Sequence, residues 1–399
     1  MSFELVFCGI LLLAAFLYTL MILAITTGAS KKHNSGSGMR NAGKFYPKAR
    51  SGPGIPSNQK ISVILPVRNE VSNIVRCLDD LSMQDFPKDL FEIIVSDDFS
   101  EDYTVEKVRK WSKEHPDLRL TLLEGSQNLK TSHGKKRAIE RAVDIASGDI
   151  IITTDADTVR GRCWIKKIAE EFGHKEVKMI LGPVGFTSEK GMFQKVQVLE
   201  FLGIMGVTAG SARFGCSLMC NGANLAYRKE AFREAGGFSG TGEFRSGDDQ
   251  FLMMKFRKHY GGRAVVFLKD KEAIVFTPPC TGWNDFWEQR LRWVSKSRGY
   301  RDAWVITAGL ITIGFPLLIL IGGVVGIFYP WILLLSSLLW FLKILAEYPL
   351  VWMMAGFFGK KHLLNYYFAA QVFQFFYSIT AAVAGQFSLY SWKGRRFRK

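Results

Sequence analysis

The sequence has few cysteines for its 399 residues, and none of them stands in a C-x-x-C pair. Cys216 and Cys220 have neither a second pair nor nearby histidines, so the sequence does not predict a zinc site. Six thiols without a disulfide framework are typical of a domain that faces the cytosol. The G-x-x-x-x-G-K-[ST] pattern of a P-loop and the G-x-G-x-x-G pattern of a dinucleotide site are also absent. These absences argue against P-loop and dinucleotide-dependent enzymes.

Long hydrophobic runs, by contrast, are abundant, and 48% of the residues are hydrophobic. Residues 5–25 carry no charge and are long enough to cross a bilayer, which takes about 20 apolar residues. No basic segment precedes this run and no clear A-x-A site follows it, so we predict an uncleaved anchor at 1–27 rather than a signal peptide. Three further apolar segments within 303–390 are candidate spans: 304–328, 331–354 and 366–389.

Polar residues within these C-terminal segments complicate the topology. Pro316 interrupts the first segment, and Lys343 and Glu347 lie four residues apart in the second, where they can pair on one helix face. With the N-terminus outside and four full spans, the basic tail at 391–399 would end outside, against the positive-inside rule. We therefore predict two to three C-terminal membrane helices, with the segment that contains Pro316 as re-entrant or interfacial.

The net charge of +16 has an explanation in the membrane. A basic, Gly/Ser-rich linker at 28–58 follows the anchor, and basic residues flank the other hydrophobic segments, where anionic lipid headgroups attract them. The positive-inside rule then predicts an external N-terminus and a cytoplasmic domain after the linker. No nucleic-acid recognition motif accompanies the charge, so we expect no nucleic-acid partner.

The central region, 59–283, alternates strand-like and helix-like segments. The strand-like runs are "ISVILPV" (61–67), "FEIIVSDD" (91–98), "RLTLLEG" (119–125) and "DIIITTDAD" (149–157). Buried strands joined by helices favour an α/β fold with a mixed, mostly parallel sheet and helices on both faces. In such sheets, ligands bind beyond the carboxyl ends of the strands.

Three pairs of carboxylates mark candidate site positions. Two pairs end predicted strands and the third begins a predicted helix: Asp97 and Asp98, Asp155 and Asp157, Asp248 and Asp249. Each pair alone also suits a turn or a helix N-terminus. In an extended backbone, however, residues two apart point to the same side, where two carboxylates repel unless a cation lies between them.

The order of the motifs resembles that of membrane-bound family 2 glycosyltransferases. The matching segments are "ISVILPVRNE", "IIVSDDFSEDYT", "HGKKRAIERA", "GDIIITTDADT", "CNGANLAYRKEAF", "SGDDQFL" and "QRLRW", from about residue 60 to residue 293. The resemblance implies a nucleotide-sugar-binding domain of the GT-A type and a transfer that inverts the anomeric centre. In "NDFWEQRLRW", Gln289, Arg292 and Trp293 lie three and four residues apart and hence on one helix face, so we predict that 284–302 forms an amphipathic interface helix carrying Q-x-x-R-W.

The resemblance assigns a role to each candidate residue. The donor-binding residues are Asp97, Asp98, Lys135, Asp155, Gln289, Arg292 and Trp293, with Asp98 at the nucleotide base. Asp155 and Asp157 match the D-x-D that holds Mg²⁺ or Mn²⁺, with Asp157 the principal ligand. Asp249 matches the general base, with Asp248 as the alternative, because the motif reads "GDD" where several polysaccharide synthases have "TED".

These observations predict a hexosyltransferase of the EC 2.4 type, multi-pass in a bacterial inner or plasma membrane, with its catalytic domain in the cytoplasm. The expected donor is a nucleoside-diphosphate sugar, UDP-linked, and the expected acceptor is a lipid or a membrane-associated glycan. One alternative is a polysaccharide synthase subunit that extends a glycan. An alternative of another class is a non-catalytic sugar-binding receptor or a transporter.

Overall fold

The computed structural model of the protein describes residues 3–30, 59–125, 134–240, 247–387, 390–392 and 395–397. From residue 31 onward, the predicted basic linker lies outside the described residues. The described helices are α1 (Phe3–Ser30), α2 (Ile74–Ser82), α3 (Thr104–Glu114), α4 (Lys135–Ile145), α5 (Trp164–Phe172), α6 (Gly191–Arg213), α7 (Lys229–Glu234), α8 (Asp248–Tyr260), α9 (Trp283–Ser295), α10 (Ala303–Val325), α11 (Pro330–Phe357) and α12 (Tyr367–Phe387). The described strands are β1 (Ile61–Val67), β2 (Phe91–Asp97), β3 (Leu120–Leu123), β4 (Ile150–Thr153), β5 (Val159–Arg160), β6 (Met179–Leu181), β7 (Val184–Phe186), β8 (Leu225–Arg228), β9 (Val265–Phe267), β10 (Val275–Thr277), β11 (Tyr390–Trp392) and β12 (Arg395–Phe397).

The chain divides into two compact units. The α/β unit comprises Lys31–Thr187 and Ala212–Pro278, and the helical unit comprises Met1–Ser30, Ser188–Ser211 and Pro279–Lys399. The predicted domain at 59–283 runs through both units, because α6 belongs with the apolar helices.

The α/β unit is built on a seven-stranded sheet with the order β3-β2-β1-β4-β8-β6-β9. Neighbouring strands are parallel except at β8, which is antiparallel to both β4 and β6. A smaller sheet has the order β5-β10-β7. The predicted mixed, mostly parallel sheet is confirmed.

Burial explains why the central strands are continuous apolar runs rather than alternating ones. Val63 on β1 and Ile93 on β2 are fully buried in one core cluster. Helix side chains that complete this cluster include Trp164 and Phe172 of α5, which are at most 1% exposed. A parallel sheet covered on both faces in this way keeps both sides of each strand away from water.

Among the described residues, four helical segments of the helical unit are long and apolar enough to cross a membrane: Phe3–Ser30, Ala303–Val325, Pro330–Phe357 and Lys361–Gly385. One N-terminal and three C-terminal apolar helices agree with the prediction. Helix α10 continues through Pro316, so this proline removes one backbone donor without ending the helix. The re-entrant character assigned to this segment stays a prediction.

A buried polar network joins three helices of this unit. Lys343 pairs with Glu347 at 2.9 Å, as their spacing predicts. Lys343 Nζ also donates to Gln371 Oε1 at 2.9 Å, and Gln371 Nε2 donates to Glu347 Oε2 at 2.7 Å. The hydroxyl of Tyr18 donates to Glu347 as well. Helix α1 is therefore bonded to α11, and α11 to α12, through buried side chains, where an unpaired polar group would be costly.

Candidate active site

The site lies at the carboxyl edge of the large sheet. The parallel register places Val67, the last residue of β1, beside Asp97, and Ile64 beside Thr153, the last residue of β4. The segments that follow β2 and β4 therefore emerge at the same edge, on the two sides of β1.

The two aspartates at the end of β2 have different partners. Asp97 is 3% exposed and accepts the backbone N–H of Ser100, so its carboxylate fixes the turn after the strand. Asp98 Oδ1 accepts the backbone N–H of Gly134 at 2.9 Å. Gly134 precedes α4 and has φ +124°, a backbone conformation that favours glycine. Asp98 thus attaches the start of α4 to the end of β2.

Lys135, the first residue of α4, is the centre of the site. Ala138 and Ile139, one turn later, are buried, so Lys135 lies on the helix face that packs against the sheet. Its Nζ donates to Asp155 Oδ1 at 2.6 Å. Burial lowers the pKa of Lys135, but the carboxylates of Asp155, Asp248 and Asp249 more than offset this and raise the pKa above its ordinary value. The structure therefore gathers one cation and members of two predicted pairs.

The D-x-D residues lie in a turn rather than in a strand. Strand β4 ends at Thr153, two residues before Asp155, so strand alternation does not set the direction of the two carboxylates. Asp155 and Asp157 are both partly exposed. The carbonyl of Asp157 accepts a hydrogen bond from Arg76 at 3.4 Å.

Arg160 supports this turn, and sequence reasoning did not identify it. Its guanidinium donates to the carbonyl and the hydroxyl of Thr158, and the Thr158 hydroxyl donates to the Asp155 carbonyl at 2.6 Å. Arg160 is 7% exposed. The sequence gives no signal for this role, because the burial of Arg160 becomes visible only with its partners in the structure.

The third predicted pair begins α8, as expected. Gly247 has φ +85° and precedes the helix, and Asp248 and Asp249 are its first two residues. Asp249 Oδ2 accepts the backbone N–H of Gly222 at 3.1 Å, and its Oδ1 accepts the N–H of Gln250 at 2.8 Å. Both oxygens of Asp249 are thus oriented by backbone donors. A Cβ on Gly222 would lie 3.4 Å from Lys135 Nζ and 3.8 Å from Asp248 Oδ2, so Gly222 lies against this charged group.

Asn224 fixes the turn that contains Gly222. It lies in the segment "CNGANLAYRKEAF", and the sequence alone assigns it no role. Its Nδ2 donates to the carbonyls of Pro183 and Ala273, each at 2.9 Å, and its Oδ1 accepts from Trp164 Nε1 at 3.0 Å. Asn224 is 2% exposed. These three hydrogen bonds fix the backbone of the turn Gly222–Asn224, which precedes β8 and donates to Asp249 of α8.

Gln289, Arg292 and Trp293 lie on α9, within the predicted interface helix, and belong to the helical unit. Gln289 Oε1 accepts a hydrogen bond from Arg290 at 3.2 Å. The indole of Trp293 lies near the ring of Phe201 and beneath the Arg290 guanidinium. Seven of the ten candidates are thus in the α/β unit and three are on this helix.

The carboxylates present suit a divalent cation that arrives with a phosphate ligand. Among the described residues, no group of three or more His, Cys, Asp or Glu side chains is arranged to hold a metal. The carboxylates of Asp155 and Asp157 lie in the turn after β4 at the sheet edge, and Oδ1 of Asp155 is bonded to Lys135. Mg²⁺ is typically bound by one or two carboxylates, with waters and substrate phosphates completing its shell, so the donor set fits Mg²⁺ or Mn²⁺.

Family models match most of the chain. The Glycosyl transferase family 2 model matches residues 62–236, and the Glycosyl transferase family group 2 model matches residues 150–359. The chain belongs to glycosyltransferase family 2. The expectation of this family is therefore confirmed, and the matched residues include both the D-x-D and the Q-x-x-R-W segments.

The matches to two curated relatives of this family 2 protein cover only part of each relative's length. Glycosyltransferase AglE of Haloferax volcanii is 31% identical over 131 residues, which are 33% of this chain and 41% of that protein. An N-acetylglucosaminyltransferase of Rhizobium meliloti is 25% identical over 253 residues, which are 61% of this chain and 57% of that protein. The chain thus spans about half the length of these relatives.

A solved structure shares the fold of the family 2 chain. Mannosyltransferase PcManGT from Pyrobaculum calidifontis, in complex with GDP-Man and Mn²⁺, superimposes with a TM-score of 0.59. The match covers 96% of this chain and 98% of that chain at 21% identity. The GT-A-type architecture expected from the sequence is confirmed by this likeness.

Proposed function

We propose that this protein transfers a sugar from a nucleoside-diphosphate sugar to a membrane-associated acceptor, with inversion of the anomeric centre. The observation that carries the proposal is the position of Lys135. It pairs with Asp155 and lies in the field of Asp248 and Asp249, while Asp98 bonds the backbone just before it. One residue thereby connects the proposed base-binding, diphosphate-binding and catalytic carboxylates.

Each side chain then has a defined task. Asp98 receives the nucleotide base, and Lys135 offers a fixed positive charge beside the diphosphate. Asp249 accepts the proton of the acceptor hydroxyl. The oxygen of that hydroxyl forms a bond to the anomeric carbon, and the bond from this carbon to the diphosphate breaks. The nucleoside diphosphate leaves with the electron pair. Attack from the opposite face inverts the configuration.

Backbone donors on both oxygens of Asp249 fix its direction. Asp248 remains the alternative base, since it is the adjacent residue of the same helix turn.

Asp157 and Asp155 would hold Mg²⁺ or Mn²⁺, which supplies positive charge to the departing diphosphate. Gln289, Arg292 and Trp293 would contact the donor, with Arg292 suited to bidentate binding of a phosphate. UDP-linked sugars are the first donors to test. GDP-mannose is the second, since the Pyrobaculum mannosyltransferase binds it.

The helical unit supports a lipid acceptor. Four of the described helices have the length and apolarity to cross a bilayer, and a protein inserted in this way would meet a lipid-linked hydroxyl at the membrane surface. We propose that the α/β unit is cytoplasmic. A single cysteine at exposed Lys113, in a background without the native cysteines, should resist an impermeant thiol reagent in intact cells and react after lysis. Labelling of intact cells would contradict this orientation.

The function is tested with purified full-length protein in nanodiscs. It is incubated with Mn²⁺, with UDP-glucose, UDP-N-acetylglucosamine or GDP-mannose, and with or without a lipid acceptor that carries a free hydroxyl, such as diacylglycerol. We expect nucleotide release that depends on the acceptor, and a lipid product heavier by one sugar in mass spectrometry. Addition of many sugars to one acceptor would identify a glycan-extending synthase instead. Nucleotide-sugar binding without turnover for any donor and acceptor would contradict the proposal and favour a receptor.

A further inference from the structure

Arg290, the second residue of "QRLRW", is a buried cation inside the helical unit. It is 3% exposed and forms an ion pair with Glu200 of α6, which is 7% exposed. The hydroxyl of Tyr377 on α12 donates to the other oxygen of Glu200. Helices α6, α9 and α12 therefore meet at one charged pair, where the planar guanidinium is held in a single orientation.

The same guanidinium contacts both ends of the motif. Its Nη1 donates to Gln289 Oε1 at 3.2 Å. Its central carbon lies 4.2 Å from the centre of the Trp293 ring and 4.4 Å from that of Phe286. A guanidinium over an aromatic face is attracted by the ring, most strongly by tryptophan. Arg290 is thus the one group that touches the amide of Gln289 and the indole of Trp293 simultaneously, among the described contacts of these two residues.

We propose that Arg290 is a positioning residue, which acts with Glu200 to set the orientation of Gln289 and Trp293 for the donor. The proposal rests on the proposed function, since it takes these two side chains as donor contacts. A purely structural alternative is that the pair only fastens three helices together. Buried ion pairs often contribute little net stability. A pair of apolar residues of similar volume often replaces such a pair without loss of folding free energy. Orientation of the motif, in contrast, is lost in that replacement.

This difference supplies the decisive variant, Glu200→Leu with Arg290→Met. Either change alone leaves a buried unpaired charge and should lower the melting temperature. Both the double variant and its reference are made with Tyr377→Phe, so that no buried hydroxyl loses the carboxylate that accepts its bond. In this background the double variant should melt close to the reference. We nevertheless expect its rate of nucleotide release to fall on the order of 10- to 100-fold, as for loss of a hydrogen bond to a charged group. The loss should appear in KM for the donor more than in kcat, because the affected side chains bind the donor.

A second readout does not depend on activity. Full-length protein labelled with 5-fluorotryptophan has ten fluorinated positions, and the resonance of Trp293 is identified by its disappearance in Trp293→Phe. We expect this resonance to shift or broaden in the double variant, because the guanidinium above the ring is gone. Tyr366→Phe is the matched control. It removes a 2.9 Å hydrogen bond from Lys195 within the same unit and should change neither the resonance nor the rate.

Arg290→Lys covers the case in which the double variant does not fold. Lysine still neutralises Glu200 but lacks the planar fork that reaches Gln289 and the ring together. It should therefore show the shifted resonance and the higher KM with a nearly normal melting temperature. Folded double and lysine variants with wild-type kinetics and an unmoved Trp293 resonance would overturn the proposal. If the wild type releases nucleotide from no donor, the proposed function fails, and the resonance alone still decides whether Arg290 orients Trp293.

Discussion

Lys135 Nζ lies 2.6 Å from Asp155 Oδ1, so the first residue of α4 and the first carboxylate of the D-x-D form an ion pair. The carboxylates at the start of α8 also raise the pKa of this ammonium. Lys135 thus supplies positive charge to carboxylates of two of the predicted pairs. The raised pKa keeps Lys135 protonated throughout the neutral range.

Replacing Lys135 should therefore disable the site without unfolding the domain. In Lys135→Met, Asp155, Asp248 and Asp249 repel one another and the diphosphate loses a fixed positive charge. We expect kcat/KM for the donor to fall on the order of 10- to 100-fold. Initial rates of nucleotide release measure it. Arg137→Met, in the same helical turn and with a half-exposed side chain, is the control, and an equal loss in both variants would contradict the role of Lys135.

Substitution by asparagine distinguishes the roles of the two aspartates at the start of α8. Asp249→Asn keeps the shape and removes the basicity, so transfer should fall by about 10²- to 10⁴-fold while donor affinity survives. Asp248→Asn should be milder. Pre-steady-state transfer and nucleotide affinity are measured for both variants. If Asp248→Asn is the more damaging with donor affinity intact, Asp248 is the base and Asp249 serves to hold Gly222.

The role of Asp157 is tested by measuring Mn²⁺ affinity rather than turnover. Removing this carboxylate should weaken binding of Mn²⁺ together with nucleotide, because the ion loses its principal protein ligand. Electron paramagnetic resonance of free Mn²⁺, titrated with protein and UDP, gives the affinity for wild type and Asp157→Ala. Asp144→Ala, an exposed change on α4, should match the wild type. Unchanged Mn²⁺ uptake by Asp157→Ala, or wild-type activity in the presence of chelator, contradicts the assignment.

Asn224 should be among the most sensitive uncharged positions of the α/β unit. Asn224→Ala leaves the Trp164 N–H and the carbonyls of Pro183 and Ala273 buried without their partner. Each unpaired group costs about 1–3 kcal/mol, so a loss of roughly 3 kcal/mol in the free energy of unfolding is expected. Thermal unfolding of the full chain measures it. Asn73→Ala, which removes one part-buried bond to Glu70, should have a much smaller effect. Similar melting temperatures for the two variants would argue against this role of Asn224.

Glu92 gives the α/β unit an acid-sensitive contribution to stability. Burial raises its pKa, but hydrogen bonds from Ser62 and Ser147 more than offset burial and leave the pKa below its ordinary value. A carboxylate with a lowered folded pKa stabilises the protein above its unfolded pKa of about 4.3, and this contribution is lost as the pH falls through the folded pKa.

In Glu92→Gln, the side chain no longer changes charge and the N–H of Ser147 loses its charged acceptor, 2.6 Å away in the wild type. The melting temperature should be lower than that of the wild type at pH 7, and the difference should shrink below about pH 5. Thermal unfolding across this pH range tests it, with the exposed Glu106→Gln as control. A difference that is constant with pH contradicts the role of Glu92 as a charged acceptor.

The sequence was sufficient to predict features that follow from a regular residue pattern. The run 61–67 predicts β1 to the residue, because a strand covered on both faces must be apolar throughout. The pairing of Lys343 with Glu347 follows from helical spacing alone. Both predictions depend only on the local backbone.

Features that depend on distant contacts were not predictable. Strand β8 has four residues, and its antiparallel direction is set by β4 and β6 on either side. Helix α6 shows no distinct apolar face, because its neighbours surround it, as Gly206 against Leu350 illustrates. The sequence predicts a strand that continues through the D-x-D, because nothing in "TTDADT" indicates that β4 ends at Thr153. Arg160 and Arg290 were missed because a charged side chain gives no sign of burial until its partners are known.

The bond between Tyr18 and Glu347 joins residues 329 positions apart. During synthesis, α1 leaves the ribosome long before α11 and α12 exist, so the hydroxyl of Tyr18 is made long before the carboxylate that accepts its hydrogen bond. Helix packing around α1 is complete only when Gln371 has joined Glu347 and Lys343. The N-terminal helix is thus more than a tether. It supplies one member of a hydrogen-bond network whose other members are synthesised much later, so a chain that ended before residue 371 would lack the bonds of Gln371 to Lys343 and Glu347.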